Sequence, residues 1–242
     1  MPVTRLYKAA YILLVSLPLL SSCASRPDIS SQQTSPSNFP DSLYTEASNN
    51  RLNNVYKVDK RASEILITVR RGGLMASLGH DHIVASHDLQ GYILVNSDSA
   101  QNLACRADFY APIAKLDVDN AELRAKANLL SSPSAKDIAA TTSNMFKSIE
   151  AVDFPFASLH SSDCLTALSG EKTEVILTIH GIEQKRHIAI NVEQAENKII
   201  LSGRFSILQS DFGIEPFSIM NGLIKVEDKL QLAFKIITRK LD

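Results

Sequence analysis

The sequence has no tryptophan and only three cysteines in 242 residues. It carries no excess of either charge: 25 Lys and Arg face 26 Asp and Glu, for a formal net of −1 at pH 7. That balance excludes the basic field on which nucleic-acid binding rests. One apolar run stands near the start, and no second stretch is long enough to cross a membrane as a helix. Motifs for several chemistries are missing too. There is no Gly-x-Ser-x-Gly elbow, His-Glu-x-x-His, Cys-x-x-Cys or phosphate loop. Asp211-Phe212-Gly213 spells a kinase tripeptide, but the glycine-rich and catalytic loops that give it meaning are absent. With no nucleophile–base pair legible, neither an enzyme nor a cofactor is expected.

What is present begins with a processing signal. Arg5 and Lys8 precede an apolar run from Ala9 to Leu20, and Leu20-Ser21-Ser22-Cys23 follows as a lipobox. This is the charged, apolar and small-residue layout of a secretory signal. The run is about 12 residues, whereas a membrane-spanning helix needs roughly 20. The expectation is a signal peptide over 1–22 and a lipidated Cys23, anchored by its acyl chains. An ordinary signal with an incidental cysteine is the alternative. Losing Arg5 and Lys8 takes the net charge from −1 to about −3. By similarity to bacterial lipoproteins, Ala24 after the cysteine favours the periplasmic, inner leaflet of the outer membrane.

If Cys23 is lipidated, Cys105 and Cys164 remain as a pair. An even remainder in an oxidising compartment implies a disulfide, with two buried thiols as the alternative. From Ala24 to about Asn54 the chain is rich in Ser, Pro, Asn and Gln. Such composition buries too little apolar surface to fold alone, so 23–54 is expected to be a lipidated, flexible tether. A short ordered arm packed on the domain is the other reading. The domain proper is expected over 55–242.

That region is dominated by alternation of period two. Ile65, Ile67 and Val69 share one face, as do Leu89, Gly91, Ile93 and Val95. Val175, Leu177 and Ile179 repeat the pattern, followed by Ile188, Ile190 and Val192. Ile199, Leu201, Gly203, Phe205 and Ile207 form the next set, and Leu230, Leu232, Phe234 and Ile236 the last. Successive strand side chains point to opposite faces, so each segment has one buried side. Weaker strands are read at Val55–Val58, Leu103–Ala111, Phe156–His160 and Gly222–Val226. Short connections at Gly181–Gln184 and Glu196-Asn197 read as hairpin turns. The fold class is therefore mainly β: an up-and-down antiparallel barrel of about eight strands, which removes exposed edges. Helical spacing interrupts it around 120–150. Ala121–Leu130 fits one helix with Asn120 or Asp119 as N-cap, and Ser134–Phe146 fits a second with Ser134 as N-cap. This excursion is expected to cross one end of the barrel.

An ordered series of motifs then carries a resemblance. It runs from Val55-Tyr56-Lys57-Val58-Asp59 through Phe146-Lys147-Ser148-Ile149-Glu150 and Phe154-Pro155 to Leu177-Thr178-Ile179-His180-Gly181-Ile182. Arg204-Phe205-Ser206-Ile207 and Ser210-Asp211-Phe212-Gly213-Ile214 complete it. In this order and spacing the chain resembles the YceI-like family of bacterial periplasmic proteins, over about 190 residues. The resemblance implies a lipocalin-like barrel with an elongated apolar cavity that binds or carries a long-chain lipid or isoprenoid-type amphiphile. It also allows a homodimer. An eight-stranded barrel can hold one small apolar ligand if its inward side chains leave room. The inward candidates are Ile67, Val69, Ile93, Leu177, Ile190, Leu201 and Leu232. Alternation alone does not fix which face is inward, and a barrel filled by these residues, acting as an envelope-stress module, is the competing reading.

Leu78-Gly79-His80-Asp81-His82-Ile83-Val84 departs from the family's usual phenylalanine-rich segment and marks a branch with a Gly-His-Asp/Asn-His motif. His80, His82 and His87 fall within eight residues. If the stretch is extended, His80 and His82 share a face and can bind one transition metal, with His87, His160, His180, His187 or a carboxylate as a third ligand. That would make the chain a metal- or redox-linked accessory protein. A polar turn at a strand end is a second reading. A gate that meets a ligand headgroup through His80 and His82 is a third.

Overall fold

The computed structural model describes residues 33–50, 53–97 and 103–241. The expected signal segment 1–22 and Cys23 lie outside the described residues. Helix α1 spans Asp41–Ser48, and the strands that follow are β1 Asn53–Val58, β2 Glu64–Gly72, β3 His82–Ser86, β4 Gln90–Ser97, β5 Leu103–Pro112 and β6 Leu116–Val118. Helices α2 (Ala121–Lys126) and α3 (Ala135–Ser148) precede β7 (Phe156–Ser161) and the single-turn α4 (Leu165–Leu168). The chain ends with β8 Lys172–Ile179, β9 Ile182–Ala195, β10 Lys198–Leu208, β11 Ser218–Ile219 and β12 Ile224–Lys240.

These strands make one closed, antiparallel barrel in which every neighbour follows in chain order. β1 and β2 pair in turn with the same side of the 17-residue β12, at Tyr56–Lys240 and at Ile67–Leu232. They are one barrel strand interrupted at 59–63. β3 and β4 are likewise two halves of the next, pairing with β2 and β1 respectively. β5 and β6 make the third, pairing with β4 and β3. With β7, β8, β9, β10 and β12 the total is eight, and the β1–β12 pairing closes the ring. Closure pairs the long strand edges that an open sheet would leave exposed.

The turns have local causes. His180 and Gly181 link β8 to β9 with φ of 52° and 70°. Positive φ at both central positions is the type I′ requirement, so the turn sits at His180-Gly181, one step before the expected Gly181–Gln184. Gly91 in β4 has φ of 140°, and a Cβ there would stand 2.1 Å from the Asp108 carbonyl oxygen. Only glycine lets β4 approach β5 this closely. Ser134 caps α3 through a reciprocal box with Asp137, and the helix buries Thr142 and Phe146. Helix α2 is capped by Asn120, whose side chain accepts from the Glu122 and Leu123 amides. α2 stops at Lys126, short of the expected Leu130.

Two outer faces are covered. Leu123 of α2 packs on Ile83 and Ala85, which buries β3 on both sides. On the other side, Tyr44 of α1 is 1% exposed and stacks on Tyr92, while Phe39 meets Tyr110 edge-on. The Tyr44 hydroxyl donates to Asp108 Oδ2 at 2.5 Å, and Asp108 also receives Arg106 and His160 Nδ1. The expectation of a flexible tether over 23–54 is thus corrected for its described second half. Two aromatic rings and a buried hydroxyl dock that part as an arm. Inside the barrel, one end is packed solid around Tyr56, Ile93, Cys105, Ile199 and Ile236. A disulfide joins Cys105 to Cys164 there, with a Cα–Cα distance of 5.1 Å.

Candidate functional site

The remainder of the interior is not filled. A cavity of about 320 Å³ runs from the packed end to α3. That lies at the lower end of the size range of small-molecule sites. Its walls are the inward alternating residues of the strands, among them Ile67, Val69, Leu177, Ile190, Leu201 and Leu232. All six were expected from the sequence to face inward. Ile93, the seventh, does not reach the cavity. It is 3% exposed within the packed end, because β4 lies beside β1 there and its inward side chains meet Tyr56 and Cys105.

The helical crossing expected at one end of the barrel forms the far wall, though its lining side chains were not named from the sequence. Helix α3 turns Thr141, Asn144, Met145 and Ser148 toward the cavity, and Phe205 and Phe234 meet edge to face on the strand side with centroids 6.2 Å apart. The spacing 141, 144, 145 and 148 is one helical face, which the sequence carried as a 3.6-residue period of mixed polarity. So the cavity is apolar along its length and gains hydroxyl and amide groups where α3 crosses it. β3 adds two polar groups, His82 and Ser86. Ser86 Oγ is buried with no hydrogen-bond partner among the described residues. A buried hydroxyl left unpaired is costly and uncommon, so it stands out in an otherwise apolar wall.

His82 is held from behind. Its Nδ1 lies 2.6 Å from Asp119 Oδ2, and a carboxylate can only accept, so the ring donates from Nδ1 and its Nε2 is the nitrogen left for another partner. Asp119 is buried. Its Oδ1 accepts from the Ile83 amide at 3.1 Å and from the Arg124 guanidinium. Arg124 is buried too, and its remaining donors go to the Asp81 carbonyl, the Ser131 carbonyl and Ser131 Oγ. Burial works to raise the Asp119 carboxyl, but the bonds from His82, Ile83 and Arg124 prevail and hold it below the usual carboxylate range. Asp119 has φ of 54°, a left-handed conformation that Asp tolerates better than most residues.

His80 lies beside His82, ring centroids 4.6 Å apart, but does not line the cavity. Its Nε2 is buried without a hydrogen-bond partner among the described residues. Burial, reinforced by the neighbouring His82, lowers its pKa, so the ring is neutral near pH 7. The ligand-bearing atoms of His80, His82 and Asp119 all lie within 4.8 Å of one another. The sequence grouped His80 and His82 with His87, and that grouping is corrected. His87 sits past the end of β3, half exposed, with its Nδ1 3.7 Å from Glu64. The other proposed third ligands are also elsewhere: His160 pairs with Asp108, His180 with the Phe212 carbonyl and Glu150, and His187 with Glu174. Asp81 points away from the pair, into Arg70 at 2.6 Å.

Comparison with known proteins agrees with this architecture. The YceI-like domain profile matches residues 56–237. No curated protein matches the sequence. Among solved structures, a polyisoprenoid binding domain from Saccharophagus degradans, described as implicated in plant cell wall breakdown, aligns with a TM-score of 0.53 at 12% identity, covering 77% of this chain and 98% of that one. BcnA of Burkholderia cenocepacia aligns with a TM-score of 0.51 at 17% identity, covering 74% of this chain and 98% of that one. At such identities the likeness establishes the barrel alone. The closed eight-stranded ring, the helical crossing and the profile match over three quarters of the sequence place this chain in the YceI-like family.

Proposed function

We propose that this protein binds and carries a long-chain lipid or isoprenoid-type amphiphile in the barrel, without performing chemistry on it. The observation that carries the reading is the cavity: apolar along most of its strand walls, with polar groups where α3, His82, Ser86, Ser158 and Gln209 border it. A hydrocarbon chain fits the first part and a headgroup the second. Each methylene moved out of water contributes about 0.8 kcal/mol, so roughly ten would supply about 8 kcal/mol against the cost of association. No catalytic group is needed for that. The polyisoprenoid binding described for the Saccharophagus degradans domain, on the same fold, supports the ligand class. The lipobox supports a periplasmic protein held by an acylated Cys23, and Ala24 supports the inner leaflet of the outer membrane as its place.

The test is mass spectrometry of lipids extracted from the full chain, expressed with its own signal in a bacterium and purified without added lipid. The expected result is one equivalent of a long-chain amphiphile. In Ile190→Trp, which puts a bulky ring into the cavity, the amount falls several-fold while the circular dichroism spectrum is unchanged. A wild-type protein free of lipid, or an Ile190→Trp protein that retains a full equivalent, overturns the proposal.

A further inference from the structure

The Gly-His-Asp-His segment serves neither the barrel's closure nor its apolar wall. We propose that His80 and His82 bind a divalent transition metal ion, with zinc the leading case, at the edge of the lipid cavity, and that Asp119 acts as a positioning residue for His82.

Four observations converge. The His80 and His82 rings lie side by side, and their ligand-bearing atoms fall within 4.8 Å of each other and of Asp119. Two imidazole nitrogens at about 2.0–2.1 Å from one tetrahedral ion stand roughly 3.4 Å apart, a separation the neighbouring rings reach by turning toward each other. His80 Nε2 is buried and unpartnered, a state that a metal bond relieves. His82 is fixed by Asp119 through Nδ1, which leaves Nε2 as the free donor. This is the carboxylate–histidine arrangement that orients metal-binding imidazoles and raises their basicity. Finally, Asp119 is itself fixed by Arg124 and the Ile83 amide, so the support is rigid. Its oxygens are occupied, which assigns it the supporting role. The guanidinium of Arg124 is compensated by Asp119 and turned into the Asp81 and Ser131 carbonyls, so it does not oppose the ion as an isolated charge.

Imidazole suits zinc, copper and nickel. Two protein ligands leave coordination positions open. Because His82 borders the cavity, water or an anionic headgroup can occupy them. Such a site is distinct from the hydrocarbon cavity and does not depend on the carrier reading.

The experiment uses the full chain without a histidine tag, stripped with a chelator and titrated calorimetrically with zinc chloride. Cobalt(II) absorption serves as a reporter of coordination. The expected result is one-to-one binding in the micromolar range, weakened at least about tenfold by His80→Gln or His82→Gln and about tenfold by Asp119→Asn. His87→Gln leaves it unchanged. The zinc absorption edge of the wild type should show two imidazole nitrogens, a readout that requires no variant. Absence of saturable one-to-one binding overturns the proposal, as does full affinity in a folded His80→Gln protein or an absorption edge without imidazole. Lipid content of the same samples is read separately: lipid retained without zinc binding overturns this site alone, and zinc bound without lipid overturns the carrier alone.

Discussion

Asp119→Ala removes the shared acceptor of three donors at once. Arg124, 4% exposed, loses its carboxylate partner among the described residues, the Ile83 amide loses its side-chain acceptor, and His82 loses the group that fixes its ring. Breaking a buried pair by deleting one partner costs about 3–5 kcal/mol, since the other charge stays buried and uncompensated. Alanine also tolerates the φ of 54° less well than aspartate. For a domain of this size each kcal/mol moves the melting temperature about 2–4 °C, so a fall of roughly 6–20 °C is expected. The assay is thermal unfolding by far-ultraviolet circular dichroism at pH 7, because the chain has no tryptophan to follow by fluorescence. Acid supplies a second dimension. The folded Asp119 carboxyl is held below its unfolded value of about 4, so its contribution is full above that value and is lost as pH falls through the folded one. The gap between wild type and variant is therefore widest at neutral pH and narrows below about pH 4. A loss under 1 kcal/mol at pH 7, or a gap that holds constant into acid, would refute this account of the buried triad.

Three further outcomes follow from other parts of the fold. Tyr44→Ala deletes the ring stacked on Tyr92 and the hydroxyl on Asp108, so limited proteolysis should cut within 33–50 far faster while the barrel resists; equal cleavage rates would show that the arm is held by something else. Replacing Cys105 and Cys164 together by serine opens a link spanning 59 residues, and the loop-entropy account puts the loss at about 4 kcal/mol, read as a lower denaturation midpoint in urea. Gly91→Ala drives a Cβ into the Asp108 carbonyl and the Phe109 backbone, so β4 and β5 must separate there; soluble, wild-type-like expression with an unchanged melting temperature would contradict the close approach.

The strands with one wet face were legible because alternation survives there. β9 reads exposed and covered in turn over much of its length, and so does β12. β3 was not legible. Ile83, Val84 and Ala85 are all buried, since α2 covers the outside while the cavity lies inside, and a strand apolar on both faces loses its period. The docked arm was hidden by its composition. Tyr44 and Phe39 are two rings in a polar stretch, and their partners Tyr92 and Tyr110 lie about 50 to 70 residues away in sequence. His80 and His82 were found by spacing, whereas Asp119 was read only as a possible helix cap. Its link to His82 spans 37 residues and exists because β6 returns beside β3. Ile93 shows the limit of face assignment: alternation identifies an inward residue but not whether that level of the barrel is packed or hollow.

The docked arm also sets a length. Were Cys23 acylated, Phe39 would be 16 residues from the bilayer, at most about 55 Å when fully extended. A leash running on to Asn54 would have 31 residues and about twice that reach. Halving the radius cuts the volume open to a tethered barrel roughly eightfold, and the concentration of its cavity at the membrane surface would rise by the same factor. With that anchor in place, two aromatic rings would act on the rate of encounter with membrane lipid, at a distance from the cavity that would receive it.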